Sequence, residues 1–486
     1  MTQYDKSPLG APFGPRLTRR GFIIGSSLAA TAISVGISSP AYADTSLQVS
    51  TAKVEITPDT GYPMAGFATE TEPRRSEGVN EPLMARCIVL WDNGAPNVIV
   101  SADVLAFGRT MHQAIRDGVI ALGVSSSDFV LNATHTHNGP VLIERLDPYI
   151  AYAVTDMAEI SDYSDWLVNE IISLVQTALG ATRTTCTLDY QVADEDFSIN
   201  RVGLSYVERD VPILVARATD GTPRAVLFSY GAHPVAGNGG TLFDPDYPSE
   251  AIKTIEAAYS GAFAQFILGP AGDQNPALMD GIQQSDAYGY DLGLTVVNSI
   301  NTPGRTITAP ISTALSEAEL PLDVTDTPSN RVALQQVFQA RQVNPATDYE
   351  HRHGEVMEQV AASPDPLEDT VPLPVQRWQF GGAPGLTMIF SGGEVVSGYA
   401  VYFRSISGGA NQLWFSAYAN EVPGYIPSDE ILANPGYEAG YAADHPGVAA
   451  ASMAAYGHLA HFRGRPAGTS VTGVEQVFID EIQSLL

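Results

Sequence analysis

Phe129-Val130-Leu131-Asn132-Ala133-Thr134-His135-Thr136-His137-Asn138-Gly139-Pro140 runs from a short apolar strand directly into two histidines and a Gly-Pro turn. The first five residues are mostly apolar and too few for a helix, so they read as a buried strand. Histidines at i and i+2 on an extended backbone point to the same face, where they can share one metal or one substrate. Alone, such a pair equally describes surface or hydrogen-bonded histidines. The rest of the chain has to decide between these readings.

Working outward, further strand-like runs lie at 47–56, 85–91, 97–104, 211–216, 224–230, 263–268, 386–390 and 413–417. Helical periodicity covers 110–122, 164–179, 249–259 and 288–300, then 331–341, 396–405 and 473–486. Alternation of the two predicts an α/β fold: mixed or parallel sheets covered by helices, with a metal site at strand ends. Residues 303–374 are richer in Pro, Thr and charge and read as a peripheral insertion.

Thr18-Arg19-Arg20-Gly21-Phe22 stands before an uncharged run to Pro40, and Ala41-Tyr42-Ala43 follows. Paired arginines, a mildly apolar stretch and a small-x-small end are the parts of a twin-arginine signal peptide over 1–43. That route exports folded proteins, which suits a protein loaded with metal before export. Residues 44–486 are then expected to form one domain, secreted, periplasmic or at the cell surface, with no stable membrane insertion after cleavage. The chain of 486 residues carries 25 Lys+Arg against 54 Asp+Glu, a net charge of −29. Such a charge repels nucleic acid and anionic membranes and favours solubility or a salty exterior. Two cysteines, Cys87 and Cys186, are too few for a disulfide framework, and their pairing is left open.

Three other places put chemistry where strands end. Tyr230-Gly231-Ala232-His233-Pro234 leads to Asp244-Pro245-Asp246; Leu268-Gly269-Pro270-Ala271-Gly272-Asp273-Gln274-Asn275 is a polar turn. Ser391-Gly392-Gly393-Glu394 ends in a carboxylate and is followed by Tyr418-Ala419-Asn420-Glu421 and Gly424-Tyr425-Ile426. His458 and His461, spaced i,i+3, and His351 and His353 in a charged stretch read as solvated.

In this order the motifs resemble the catalytic domain of the neutral (non-lysosomal) ceramidase family, from about Lys53 to about Phe462. Ile56-Thr57-Pro58, Met64-Ala65-Gly66-Phe67 and Val100-Ser101-Ala102-Asp103 are similar to that family's opening elements, and Ala133 to Pro140 is the most specific match. The resemblance implies zinc bound by His135, His233, Glu394 and Tyr425, with His137 beside the metal and Arg201, after Asn200, facing the substrate. Two departures stand out. The family's serine-bearing loop reads Asp244-Pro245-Asp246 here, with Asp246 at the place of the family aspartate, and the family's C-terminal β-sandwich has no counterpart.

Two imidazoles, a carboxylate and a phenolate suit Zn²⁺ with room for water, whose pKa zinc lowers to roughly 7. His137 can then move the proton, Arg201 can hold an oxyanion or substrate hydroxyl, and His137 or Tyr425 must protonate the departing amine. Asp103, Asp246 or Asp273 is expected to orient a ligand histidine. The missing serine favours zinc-activated water over a serine nucleophile and leaves ceramide itself in question. The reading is an exported zinc-dependent amidohydrolase acting on a lipid amide or N-acyl amine. The alternatives are an esterase or other acyl hydrolase on the same scaffold, and a secreted non-catalytic metal- or ligand-binding protein.

Overall fold

The computed structural model describes residues 47–434, 436–440, 447–466 and 468–486, so the expected signal peptide lies outside the described residues. The large sheet has twelve strands: β1 Leu47–Glu55, β2 Met84–Asp92, β3 Ala95–Ala102, β4 Phe129–Ala133, β5 Thr184–Asp194, β6 Asp210–Ala218, β7 Pro223–Tyr230, β8 Phe263–Leu268, β9 Arg305–Pro321, β10 Thr370–Gly381, β11 Leu386–Ser391 and β12 Leu413–Ser416. Its spine runs β12-β11-β10-β9-β5-β1-β2-β3-β4, and the other edge of β5 carries β6, β7 and β8 in turn. β5 is the branch point because it is long enough to serve two partners on one edge. Cys186 sits opposite Leu47 of β1, and farther along Tyr190 sits opposite Arg305 of β9.

Three arms therefore leave β5, and each ends in a parallel pair: β3 with β4, β7 with β8, and β11 with β12. A helix joins the strands of each pair, α1 Arg109–Ala121, α3 Tyr247–Ala258 and α7 Gly398–Ile406 respectively, as parallel neighbours require. All other pairings within the large sheet are antiparallel. The fold is thus α/β with a mixed sheet. Buried Leu90, Ile99, Leu188, Leu227, Trp378 and Trp414, drawn from all three arms, share one apolar cluster. Each large side chain buried there contributes roughly 1.5–3 kcal/mol.

The three arms are pinned to one another at a polar residue in the middle of β4. Asn132 Nδ2 donates to the Ala417 carbonyl at 2.8 Å, and its Oδ1 accepts from the Leu268 amide at 3.1 Å. One side chain so ties β4, the end of β8 and the chain leaving β12.

The stretch 303–374 is not a peripheral insertion throughout. Its two ends are β9 and β10, the longest antiparallel pair of the sheet. Only the helices α5 Pro328–Val343 and α6 Asp348–Ala362 stand between them. Helix α2 Met157–Gly180 lies against β1 and β2, α4 Ile282–Ile300 pairs with α3, and α8 Val474–Leu485 lies on β9. Cys87 and Cys186 are both buried free thiols. Among the described residues no helix is long and apolar enough to cross a membrane.

Candidate functional site

The C-terminal ends of all six strands in the three parallel pairs meet at one place, and each brings a polar group. β4 leads to His135 and His137, β7 to His233, and β11 to Glu394. Tyr425 follows β12 and reaches the same place because Glu394–Val395 and Tyr425–Ile426 pair as two-residue parallel strands, Glu394 directly opposite Tyr425. β3 and β8 contribute backbone: the carbonyls of Leu105 and Ala271 accept from the Nδ1–H of His135 at 2.7 Å and of His233 at 2.6 Å.

Those two carbonyls fix the tautomers, leaving a lone pair on each Nε2. His135 Nε2 and His233 Nε2 lie 3.2 Å and 3.0 Å from the same oxygen, Glu394 Oε2. Tyr425 Oη is 3.4 Å from His233 Nε2, and His137 Nε2 is 3.3 Å from His135 Nε2. Electron pairs thus face one another in a buried site with no proton between the imidazoles and the carboxylate. A cation resolves that repulsion, so the donor set fits a metal ion. His135, His137 and His233 also lie close enough to form a ligand trio.

The surroundings sharpen this. Glu394 accepts from Tyr456 Oη at 2.7 Å on one oxygen and from Tyr418 Oη at 3.2 Å on the other. Burial, helped by the Arg201 charge, lowers His233 to about 4. Burial and the neighbouring imidazoles likewise hold His137 well below its ordinary value. Burial and Glu394 push the Tyr425 hydroxyl far up against the pull of Arg201.

His135 has φ +65, a left-handed conformation unusual for a residue with a side chain. The pair therefore does not converge by strand alternation, as its i, i+2 spacing suggests: β4 stops at Ala133, and the turn at His135 brings the rings together. Opposite it, Gly66 (φ +99) leaves no room for a side chain, since a Cβ there would stand 2.5 Å from the His137 Cα. His137, next to the Phe67 ring at 5.2 Å, is the least enclosed of the three histidines. In the Gly392-Gly393-Glu394 turn, Gly393 (φ +79) is required twice: by its φ, and by Ile426 Cγ1, 2.5 Å from where a Cβ would go.

Arg201 stands behind Tyr425. Its guanidinium donates to Tyr425 Oη and the Gly272 carbonyl at 3.0 Å each, to Asn275 Oδ1 at 3.0 Å and to Glu438 Oε1 at 2.7 Å. Three aspartates are held elsewhere. Asp246 caps α3, accepting from the amides of Tyr247 at 2.8 Å and Gly237 at 2.7 Å, and burial pushes its carboxyl up to about 6. Asp273 holds Ser397 and Asn200, and Asp103 holds Thr134 and the Met84 amide. The histidines are thus oriented by backbone carbonyls, because strand ends supply these without any side chain. Asp244 is likewise engaged, accepting from Asn80 and from the Asp246 amide. His458 and His353 are buried rather than solvated, His458 against Pro423 and Arg145 and His353 against Phe338.

The overall architecture matches solved structures. A neutral ceramidase from Pseudomonas aeruginosa superposes with a TM-score of 0.61 at 16% identity, covering 81% of this chain and 70% of that one. A ceramidase complexed with C2 gives a TM-score of 0.61 at 16% identity, covering 81% and 71%. This chain has the neutral ceramidase fold. No protein-family model matches the sequence, and no curated protein matches it.

Within this ceramidase fold the sequence reading missed Tyr418 and Tyr456, which hold Glu394, and Asn132, which joins the arms. Asn132 could have been found as a polar residue inside an apolar strand, since buried amides need partners. The role of Asp246 is open to a direct check. Asp246→Ala should lower stability by about 1–3 kcal/mol through the lost cap and the unpaired Gly237 amide, while Asp246→Asn, which keeps an acceptor, should recover most of it. Unfolding midpoints measure this. A hundredfold fall in kcat with stability intact would instead place Asp246 in the reaction.

Proposed function

We propose that this chain is an exported zinc-dependent amidohydrolase that cleaves the amide bond of a lipid amide or N-acyl amine. The observation that carries the reading is the meeting of His135 Nε2, His233 Nε2, Glu394 Oε2 and Tyr425 Oη, with His137 alongside. Those four groups would hold the ion. Zinc in such a site supplies Lewis acidity, which polarises an amide carbonyl and acidifies water.

The remaining work falls to the chain's own side chains. His137 Nε2, beside the ligand cluster and less enclosed than His135 or His233, takes the proton of the attacking water and returns it to the departing nitrogen. The Tyr425 hydroxyl, fixed by Arg201, faces the carbonyl oxygen as charge develops there. Arg201 is in this reading a positioning residue, since Tyr425 stands between it and the cluster. Glu394 is kept in place by Tyr418 and Tyr456, which stops it turning away from the imidazoles. Export is inferred from Arg19-Arg20 and Ala41-Tyr42-Ala43.

Purified protein lacking residues 1–43 should release fatty acid from N-acyl amines. A chelator should abolish the reaction and added Zn²⁺ restore it. Chelator-resistant hydrolysis would remove the metal from the account; cleavage of esters alone would replace the amide with an ester substrate.

A serine nucleophile has no support in the geometry. Ser249 Oγ sits at the start of α3, 3.3 Å from the Asp246 carbonyl to which it donates. Among the described residues no serine hydroxyl bonds to His135, His137 or His233. A fluorophosphonate should therefore leave activity unchanged and add no mass to the protein; a stoichiometric adduct with loss of activity would contradict this.

A further inference from the structure

The three histidines of the site are not held alike. His135 and His233 each donate from Nδ1 to a strand-end carbonyl, Leu105 at 2.7 Å and Ala271 at 2.6 Å. His137 has no such anchor: its Nδ1 is shut off from solvent and lies by the Gly66 backbone without forming a hydrogen bond. Its ring meets Phe67 edge-on at 5.2 Å, and its Cα is pressed against Gly66. What fixes His137 must therefore act through its backbone and through the Gly66-Phe67 segment it packs against.

One side chain reaches both. Arg74 Nη2 donates to the His137 carbonyl at 2.5 Å and to the carbonyl of Ala65, the residue before Gly66. Its Nη1 donates to Asn138 Oδ1 and to the Gly240 carbonyl at 3.0 Å each, and its guanidinium lies 5.1 Å from the centre of the Phe67 ring. With Oδ1 engaged by Arg74, Asn138 turns its Nδ2 to the Asn238 carbonyl at 3.0 Å. The backbone of Arg74 is fixed too, its carbonyl accepting from the Met64 amide at 2.7 Å. Burial lowers the guanidinium to about 10, and no carboxylate counters it. Arg75, next in the chain, makes an ordinary exposed pair with Glu159 instead.

A buried charge without a counter-charge is costly, and a planar fork of donors can hold carbonyls from separate segments at fixed angles. We propose that Arg74 is a positioning residue for His137: it clamps the His137 carbonyl to the Gly66-Phe67 segment and so sets where Nε2 stands beside the ligand cluster. The inference rests on the amidohydrolase reading above, in which His137 carries the proton. None of the Arg74 bonds reaches His135, His233, Glu394 or Tyr425. Arg74 therefore acts on proton transfer and leaves metal affinity alone.

The test compares wild type with Arg74→Met, which removes every donor, and Arg74→Lys, which keeps the charge and loses the fork. In Arg74→Met kcat on an N-acyl amine should fall at least about tenfold, since a misplacement of about 1 Å costs roughly a hundredfold. KM and the zinc dissociation constant, measured by chelator competition, should stay near wild type, and Arg74→Lys should lie between. Should Arg74→Met not fold, Arg74→Lys carries the same comparison. A structural role would lower zinc affinity and kcat together, or stability alone with kcat unchanged, and either result overturns the inference. Nuclear magnetic resonance of isotope-labelled histidines needs no turnover. The His137 signal, identified by its loss in His137→Ala, should move in the Arg74 variants while those of His135 and His233 stay. A His137 signal that stays, or three signals that move together, overturns the inference. A shift confined to His137 supports it even if the wild type cleaves no amide, a result that would overturn the amidohydrolase reading alone.

Discussion

Glu394→Gln should abolish metal binding and lower hydrolysis at least about a hundredfold without unfolding the protein. The figure is a floor, because groups that merely orient metal ligands already account for 10- to 100-fold in affinity or activity. The amide is nearly isosteric with the carboxylate, and its NH₂ can donate to the lone pairs at His135 Nε2 and His233 Nε2, 3.2 and 3.0 Å away. It therefore relieves the repulsion that burdens the metal-free site. Thermal unfolding of the metal-free proteins should show the variant as stable as the wild type or more so, as expected where function rather than stability fixes the residue. A variant that keeps both metal and activity would remove Glu394 from the ligand set.

The second large effect is on stability. Asn132→Leu should cost about 2–6 kcal/mol, since it strands the Leu268 amide and the Ala417 carbonyl in the interior at about 1–3 kcal/mol each. That is a large part of a typical folding free energy. Asn132→Asp should be no milder: its carboxylate keeps the Leu268 bond but sets an oxygen against the Ala417 carbonyl, 2.8 Å from the present nitrogen. Because these bonds join all three arms, activity should fall with stability, in contrast to Glu394→Gln. Denaturant midpoints and residual activity measured on the same samples separate the two cases. An Asn132→Leu midpoint close to wild type would mean that the arms are held together without it.

What was legible in the sequence follows from what the physics constrains. The runs at 129–133 and 263–268 coincide with β4 and β8, since short apolar strands flanked by turns admit few other readings. β9 and β10 look like an insertion in the sequence because 303–374 is rich in Pro, Thr and charge, Arg305–Pro321 included. It faces the core only in part, with Ile307, Ala318 and Leu320 buried, and its pairing with β10 shifts register between Thr308 and Ile311. A half-exposed antiparallel strand needs only alternation, and a bulge breaks even that. In the site, His135, His137, His233 and Glu394 stand where strands end, but none is distinctive alone, and it is the family resemblance that groups them with Tyr425. Asp246 is ambiguous for the same reason: a carboxylate in that pattern serves equally well as a helix cap, which is where the structure places it. Tyr456 gave no sign, since a tyrosine in an Ala-rich turn looks like ordinary packing, and the stretch that holds Tyr418 drew notice without showing that its hydroxyl would hold Glu394.

The central claim is that the strand ends hold one zinc between His135, His233, Glu394 and Tyr425. Anomalous diffraction at the zinc edge, from crystals of the metal-replete protein, tests it most directly. The account predicts a single peak roughly 2.0–2.2 Å from His135 Nε2, His233 Nε2, a Glu394 oxygen and Tyr425 Oη. A peak held by His135, His137 and His233 without Glu394, or no peak in an active crystal, would contradict it.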